Sequence, residues 1–281
     1  MFTPRTRSST ATTDRLPSPA RAAVEDLLGR LDRAVPGRVE GFYVVGSACL
    51  GAFRPGRSDV DFVAIVDRAL YPDELTRLRA IQRGRCTVAL VRDVALRRRW
   101  PLLCNGTYLR RGELARSPLQ ATAVAGQVAG RFGMAQRGGF DLNPVTWHTL
   151  ARHGIAVRGP EPNRLEIRVD PAELRAWTLE NLDTYWRRWA THARRTRPRA
   201  FPRHHTAGGV LGVSRLHYTL ATGEVAGKEA AGEFAVQKLA PVWRPLIEDA
   251  LAYWRGGQPA LPIRQAAAYV DYVIGLTARS V

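Results

Sequence analysis

The sequence predicts an α/β domain followed by an all-α domain. The first prediction depends on two short apolar runs, residues 42–45 and 60–66, which are rich in β-branched and aromatic residues and enclose a glycine-containing segment. The second depends on a change of pattern at Asp170, after which apolar residues recur only at helical spacing. The predicted boundaries are a disordered tail over 1–17, an α/β domain over 18–165 and a helical domain over 166–281.

The length and composition predict a globular protein with one large or two small domains. The chain has 281 residues, and 45% of them are hydrophobic. No run of eighteen apolar residues occurs, so we expect no membrane-spanning segment. Three cysteines without metal-ligand spacing are typical of reduced thiols, which predicts a cytoplasmic location.

The charge of the chain predicts an anionic partner. The formal net charge is +17, and among the 42 cations only Lys228 and Lys238 are lysines. Such a field attracts nucleoside triphosphates, and it would also attract a nucleic acid. Neither an RNA-binding motif nor zinc-finger spacing accompanies the charge, so a nucleic-acid partner is the lesser alternative.

The segment between the two apolar runs carries the candidate chemistry. Gly46 and Ser47 end the first run, where glycine permits a tight turn and serine can bind a phosphate with its hydroxyl and backbone N–H groups. Asp59 and Asp61 begin the second run and, being two residues apart on a strand, leave the same face. Paired carboxylates are ligands that Mg²⁺ prefers, and Mg²⁺ also binds phosphate oxygens. The pattern predicts metal-assisted nucleotidyl transfer.

These residues resemble a known signature. Gly46-Ser47, an eleven-residue gap and Asp59-Val60-Asp61 are similar to the motif of the polymerase-β-type nucleotidyltransferases. With Arg57-Ser58 before the aspartates, the segment resembles the streptomycin/spectinomycin (aminoglycoside) adenylyltransferases. Residues 213–229 and 241–253 resemble the C-terminal domain of the same family, so the resemblance spans about residues 20–281.

The resemblance implies both an architecture and a reaction. It implies a polymerase-β-like nucleotidyltransferase domain with a mixed sheet, a C-terminal α-helical bundle and an active cleft between them. It also implies Mg²⁺-dependent transfer of AMP from ATP to a hydroxyl of a small molecule, an antibiotic or related metabolite. By the same resemblance Asp59 and Asp61 would bind the metal. The nucleotide-binding residues would be Gly46, Ser47, Ser58, Arg215, Lys228 and Tyr253.

The family's third carboxylate has no acidic counterpart in this sequence. One alignment places Asn105 at that position and a competing alignment places Cys86 there. An asparagine offers a carbonyl oxygen but accepts no proton near pH 7. The general base could instead be Asp93, Glu113 or a group on the acceptor. Otherwise the protein is a catalytically impaired relative that binds a nucleotide or ligand.

The acceptor is the least determined part of the prediction. Residues 184–223 contain no aspartate or glutamate, although family members line their aminoglycoside pocket with acids from this region. Like charges repel across a desolvated interface, so a polycationic aminoglycoside would be a poor acceptor here. Alternatively Glu180 and Asp183 line the pocket. An RNA or protein acceptor is a second alternative, which the net charge suggests.

Overall fold

The computed structural model describes residues 14–96, 101–137, 141–196 and 202–278. The chain divides into two compact units, residues 1–169 and 170–281. Most of the predicted tail lies outside the described residues, as do the arginines at 97–99 and residues 197–201 of the acid-free segment. No helix among the described residues is long and apolar enough to cross a bilayer.

The first unit is built on a mixed sheet, as predicted. Among the described residues six strands pair in the order β5-β4-β3-β2-β1-β6, and β2 and β3 are parallel whereas the other neighbours are antiparallel. The strands are β1 (Val39–Val45), β2 (Val60–Val66), β3 (Cys104–Arg110), β4 (Thr122–Val128), β5 (Arg131–Arg137) and β6 (Ile155–Arg158). The helices are α1 (Ser18–Ala34), α2 (Gly46–Cys49), α3 (Pro72–Ala89) and α4 (Pro144–His153), and a π-helical segment, Leu90–Leu96, follows α3.

Each face of this sheet packs against different helices. Val24, Leu27 and Leu78 of α1 and α3 share one buried cluster with Phe62 and Tyr108 of the sheet. Trp147 and Leu150 of α4 share another with Val45, Val63 and Leu109. We call the α1/α3 side the back face and the α4 side the front face. Because side chains alternate along a strand, neighbouring residues such as Phe62 and Val63 enter opposite clusters.

The competing alignment of the third acid is wrong. Cys86 lies within α3, not on a strand beside β2. Glu74 begins this helix by accepting a hydrogen bond from the backbone N–H of Tyr71, a capping contact that sequence periodicity alone did not reveal. β3, which begins at Cys104, is the strand that pairs with β2. Asn105 is therefore the residue beside the aspartates.

The second unit is helical throughout its described residues, as predicted. Its helices are α5 (Pro171–Asn181), α6 (Arg187–Arg195), α7 (Arg203–Thr222), α8 (Lys228–Lys238), α9 (Arg244–Trp254) and α10 (Ile263–Ala278), with a π-helical turn, Leu182–Trp186, between α5 and α6. Gly223 ends α7 in a left-handed conformation, φ 74°. Buried alanine, leucine, valine and isoleucine side chains from α6 to α10 form one core.

Candidate active site

The turn after β1 can accommodate only glycine at Gly46. Its φ is +66°, and a Cβ atom built there would lie 2.1 Å from Oδ2 of Asp61. Glycine at this position therefore permits both the left-handed backbone conformation and the close approach of the Asp61 carboxylate. The absence of a side chain at Gly46 lets Asp61 lie directly against the turn that begins α2.

The two aspartates lie on the front face, at the start of β2. Asp61 is opposite Val45 on β1 and opposite Asn105 on β3. Val45 belongs to the front-face cluster, and residues opposite each other in a sheet share a face. Asp59 just precedes β2, and its carboxylate accepts a hydrogen bond from Asn105, the residue opposite Asp61. Both side chains are partly exposed, as a metal or phosphate ligand requires.

Both the oxygen and the nitrogen of the Asn105 side-chain amide form hydrogen bonds. Its Oδ1 accepts a hydrogen bond from the backbone N–H of Ala129, at 3.0 Å, and its Nδ2 donates to Oδ2 of Asp59, also at 3.0 Å. A backbone N–H can only donate, so the oxygen must face Ala129 and the nitrogen must face Asp59. Asn105 is 7% exposed and therefore held in this orientation. It positions Asp59 and accepts no proton.

Glu113 is wrong as a candidate general base. It follows the far end of β3, whereas Asn105 lies at the beginning, and a seven-residue strand is about 20 Å long. Its carboxylate is buried and accepts a hydrogen bond from the backbone N–H of Thr122 at 2.9 Å. Glu113 therefore stabilises the β3–β4 connection.

Asp93 is also a structural carboxylate. Arg92 donates two hydrogen bonds of 2.8 Å to it, and the backbone N–H of Leu102 donates a third at 3.1 Å. It lines a cavity beside α1, on the side of the sheet opposite Asp59. Asp93 is thus also wrong as a candidate base.

The predicted phosphate-binding serines differ in their surroundings. Ser58 is 6% exposed, and its hydroxyl accepts a hydrogen bond from the backbone N–H of Arg54 at 3.0 Å. The backbone N–H of Ser58 in turn donates to the carbonyl of Arg54, so this serine closes the loop before β2. Ser47 lies in the short helix α2 and is partly exposed. Of the two, Ser47 has the more accessible hydroxyl.

The donor set suits a hard divalent cation. Asp59 and Asp61 supply carboxylate oxygens, and Oδ2 of Asp59 also accepts a hydrogen bond from Asn105. Mg²⁺ is usually held by one or two carboxylates and completes its octahedron with waters and phosphate oxygens. Within the described part of the chain no cluster of three or more His, Cys, Asp or Glu side chains occurs. The pair fits Mg²⁺ bound together with a nucleotide.

Two of the three cysteines lie near the aspartates, which their spacing in the sequence did not indicate. Burial, together with the negative charge of Asp61, raises the pKa of the Cys49 thiol to about 12. Burial is also the largest cause that raises the pKa of Cys104 to about 11, and Asp59 and Asp61 add to it. Both groups are neutral thiols at pH 7, and a neutral thiol is a weak nucleophile. Their separation in sequence concealed this proximity.

In the second unit the Arg215 side chain and Lys228 both lie at the connection between α7 and α8. Nε of Arg215 donates to the carbonyl of Ala226 at 3.0 Å, two residues before Lys228 begins α8. Nζ of Lys228 lies 3.8 Å from the centre of the Trp254 ring, a cation–π contact that the sequence did not indicate. Tyr253 is 6% exposed and belongs to the core of the bundle.

Comparisons with known proteins agree with the fold and the sequence signature. Residues 196–275 match the model of the aminoglycoside adenylyltransferase C-terminal domain. The chain is 26% identical over 275 residues to an aminoglycoside (3'') (9) adenylyltransferase of Klebsiella pneumoniae, covering 90% of this chain and 92% of the relative. An Escherichia coli protein of the same name is 25% identical over 276 residues with the same coverage.

A solved structure shares the fold at low sequence identity. The spectinomycin adenyltransferase AAD(9) from Enterococcus faecialis, solved with ATP and spectinomycin, is similar with a TM-score of 0.70 and 13% identity. The similarity covers 90% of this chain and 97% of that one. The domain match and the nearly full-length relatives make this chain similar to the aminoglycoside adenylyltransferases, and the solved structure shares its fold.

Proposed function

We propose that this protein is a nucleotidyltransferase that transfers AMP from ATP to a hydroxyl of a small molecule, an antibiotic or a related metabolite. The observation that carries the proposal is the Asp59–Asp61 pair on the front face, with Asn105 donating to Asp59. The adenylyltransferase names of the relatives support nucleotidyl transfer to an antibiotic. A cytoplasmic location would supply ATP and keep the three free cysteines reduced.

Asp59 and Asp61 would hold Mg²⁺ with the triphosphate. When bound, the ion neutralises phosphate charge and polarises the phosphorus centre. The chain's part is to orient the two carboxylates, which the Gly46 turn and the Asn105 amide accomplish. Gly46 and Ser47 would lie beside the phosphates.

Two cationic groups of the second unit would bind nucleotide phosphates. Arg215 carries a planar fork of donors and Lys228 a compact ammonium, both suited to phosphate oxygens. The family resemblance assigns these two residues and Tyr253 to the nucleotide. The contact of Lys228 with Trp254 restricts the ammonium to one region, which lowers the entropy lost when a phosphate binds.

The reaction forms one bond and breaks one. The acceptor oxygen attacks the α-phosphorus of ATP, the bond from that phosphorus to the bridging oxygen of the β-phosphate breaks, and pyrophosphate leaves. The acceptor hydroxyl must also lose a proton, and Asn105 cannot take it. A positioned base is worth about 10²–10⁴ in rate, so turnover should be slow unless the acceptor brings its own basic group.

The acceptor should carry less positive charge than an aminoglycoside. Residues 184–223 contain no acid, and Arg187, Arg188 and Arg203 in this segment are exposed. Some of the arginines are neutralised by acids outside it: Arg187 pairs with Asp183, and Arg194 pairs with Asp271. These pairs leave the segment net cationic, which favours neutral or anionic acceptors.

A pyrophosphate-release assay with ATP, Mg²⁺ and a panel of neutral, anionic and cationic antibiotics tests the proposal. We expect release that requires both an acceptor and Asp59, with Asp59→Ala as the inactive control. Release with no member of the panel, together with no ATP binding by calorimetry, would refute it.

Asn105 also favours a second candidate, a relative that binds the nucleotide without turning it over. This candidate predicts ATP and Mg²⁺ binding with no pyrophosphate release from any acceptor. Substitution of Asn105 by aspartate would then create turnover, because it restores a carboxylate at the position. Measurable turnover by the unmodified protein would exclude this candidate.

A further inference from the structure

A cavity lies on the back face of the sheet, on the side of helices α1 and α3. This cavity, of about 390 Å³, opens between α1, α3, the loop before β2 and the segment that leads into β3. Leu102 lines it, and Leu102 packs against the back-face cluster that contains Cys104 and Tyr108. Asn105 occupies a front-face position of β3 next to Cys104 of the back-face cluster, so its amide and this cavity lie on opposite sides of that strand.

The wall of the cavity is apolar on one side. Phe53 comes from the loop before β2, Val88 from α3 and Leu102 from the entry to β3, and alanines of α1 complete it. Val88 is 58% exposed, so an apolar side chain stands at the mouth. A volume of this size with an apolar wall lies in the range of small-molecule sites, about 300 to 1,000 Å³.

The charged side chains on the other wall of the cavity carry a net positive charge. Arg30 pairs with Asp26 at 2.8 Å, and Arg92 pairs with Asp93 at 2.8 Å, so these four side chains neutralise each other. Arg85 is left with a distant contact, 3.6 Å from its Nε to Oδ2 of Asp26. The five side chains together carry one net positive charge.

Arg85 is also short of hydrogen-bond acceptors. Its side chain is 12% exposed, and its Nη1 is buried with no hydrogen-bond partner among the described residues. Within the described ranges its Nη2 donates to Sγ of Cys104, at 3.2 Å, and a thiol sulfur is a weak acceptor. Burying a guanidinium group without oxygen acceptors costs free energy. A ligand that supplies such oxygen atoms therefore gains binding free energy here.

We propose that this back-face cavity binds a small organic monoanion, a carboxylate with an apolar body. The carboxylate would accept hydrogen bonds from Arg85, and the apolar body would lie against Phe53, Val88 and Leu102. A single negative charge balances the single unpaired positive charge, whereas a doubly charged phosphate would leave an excess. Planar guanidinium groups also match carboxylate geometry better than a point charge does.

The test uses the full-length protein without ATP, so that it does not depend on nucleotidyl transfer. Octanoate and benzoate serve as probes, octanol and benzyl alcohol as neutral counterparts, and inorganic phosphate as the alternative anion. Binding is followed by chemical-shift changes of the Val88 and Leu102 methyl groups and by calorimetry. We expect saturable carboxylate binding at these methyl groups that added ATP does not displace.

Three variants identify the groups that bind. Arg85→Gln should weaken carboxylate binding at least tenfold, while Arg83→Gln, two residues away on the exposed side of α3, should not change it. Val88→Glu places a negative charge at the exposed mouth without disturbing the core, and it should weaken binding similarly. Thermal unfolding of each variant confirms that it is folded.

Several results would each overturn the proposal. These are no saturable binding of either carboxylate, equal binding of the neutral counterparts, preference for phosphate, and unchanged affinity in both Arg85→Gln and Val88→Glu. Displacement of the carboxylate by ATP would also overturn it, because the ligand would then occupy the nucleotide site.

Discussion

Nδ2 of Asn105 donates a hydrogen bond to Oδ2 of Asp59 across the parallel pair of strands β2 and β3, at 3.0 Å. The contact between Asn105 and Asp59 is attractive, whereas a third carboxylate at the position of Asn105 would repel Asp59. In the proposed reaction an asparagine at this position cannot accept the proton of the acceptor hydroxyl. This geometry orients the Asp59 carboxylate, and an amide supplies no base for a proton transfer.

Asn105→Asp should raise the rate of pyrophosphate release by about 10²-fold or more, because a carboxylate at this position can accept the acceptor's proton. Initial rates with a neutral hydroxyl acceptor and saturating ATP measure the effect. Asn105→Ala is the control, since it removes the hydrogen bonds to Asp59 and Ala129 without adding a base, and its rate should fall. An unchanged rate in Asn105→Asp would mean that another group already takes the proton.

Gly46→Ala should destabilise the first unit and abolish ATP binding, because its Cβ would lie 2.1 Å from Oδ2 of Asp61. Gly51→Ala is a matched control: Gly51 also has φ +66°, but a Cβ there meets no atom within 4 Å. Backbone strain alone costs about 1–2 kcal/mol, so only the difference between the two variants reports the clash. Urea denaturation and ATP titration measure it, and equal effects of the two substitutions would contradict the geometry.

Asp61→Asn should reduce Mg²⁺-dependent ATP binding and lower activity by at least about 10²-fold, since one of two metal carboxylates is lost. Asp67→Asn is the comparison, because Asp67 follows the other end of β2 and pairs with Arg38. Isothermal calorimetry with ATP at varied Mg²⁺ concentrations separates the two variants. Retained Mg²⁺ dependence in Asp61→Asn would remove Asp61 from the metal site.

Lys228→Ala should weaken ATP binding about tenfold or more, whereas Lys238→Ala should leave it unchanged. The chain has only these two lysines, and they occupy opposite ends of α8. Lys228→Ala also loses the contact with Trp254, which is worth about 0.5–1 kcal/mol, so stability is measured in parallel. Equal ATP affinity in the two variants would show that Lys228 serves only the packing of α8.

Stability should fall as the pH rises above about 9, because Cys49 has its pKa raised from 9.0 to about 12 by burial and Asp61. Below pH 9 both the folded and the unfolded thiol are protonated and the effect is absent. Between pH 9 and 12 the unfolded thiol ionises first, which favours unfolding by about 1.4 kcal/mol per pH unit. Cys49→Ala should flatten this slope in denaturant titrations, and an unchanged slope would assign it to other groups such as Cys104 and Tyr43.

Much of the fold could be predicted because its signals are local. The apolar runs of β1 and β2, the Gly46 turn between them and the helical periodicity after Asp170 each depend on residues close in sequence. Asn143 likewise begins α4 by accepting from the backbone N–H of Thr146 at 3.1 Å. The confirmed fold class rests on these signals, and the roles of the individual site residues stay predictions.

The alignment of β3 could not be settled locally. Residues 86–93 resemble a strand in composition, yet they continue helix α3 and its π-helical extension because the capped helix that starts at Pro72 packs on the back face. Asp59 and Asn105 are 46 positions apart in the sequence. They meet because of the register between the parallel strands β2 and β3, and non-local packing decides that register.

By itself the sequence determined the class of fold, the pair of aspartates and the glycine that makes room for them, because turn chemistry and side-chain alternation are properties of short segments. Only the tertiary structure decided that Asn105 holds Asp59, that Asp93 and Glu113 are structural, and that Arg85 lies buried beside a cavity on the back face. Those relationships join residues from different elements, and their hydrogen bonds and burial exist only once the strands and helices have packed.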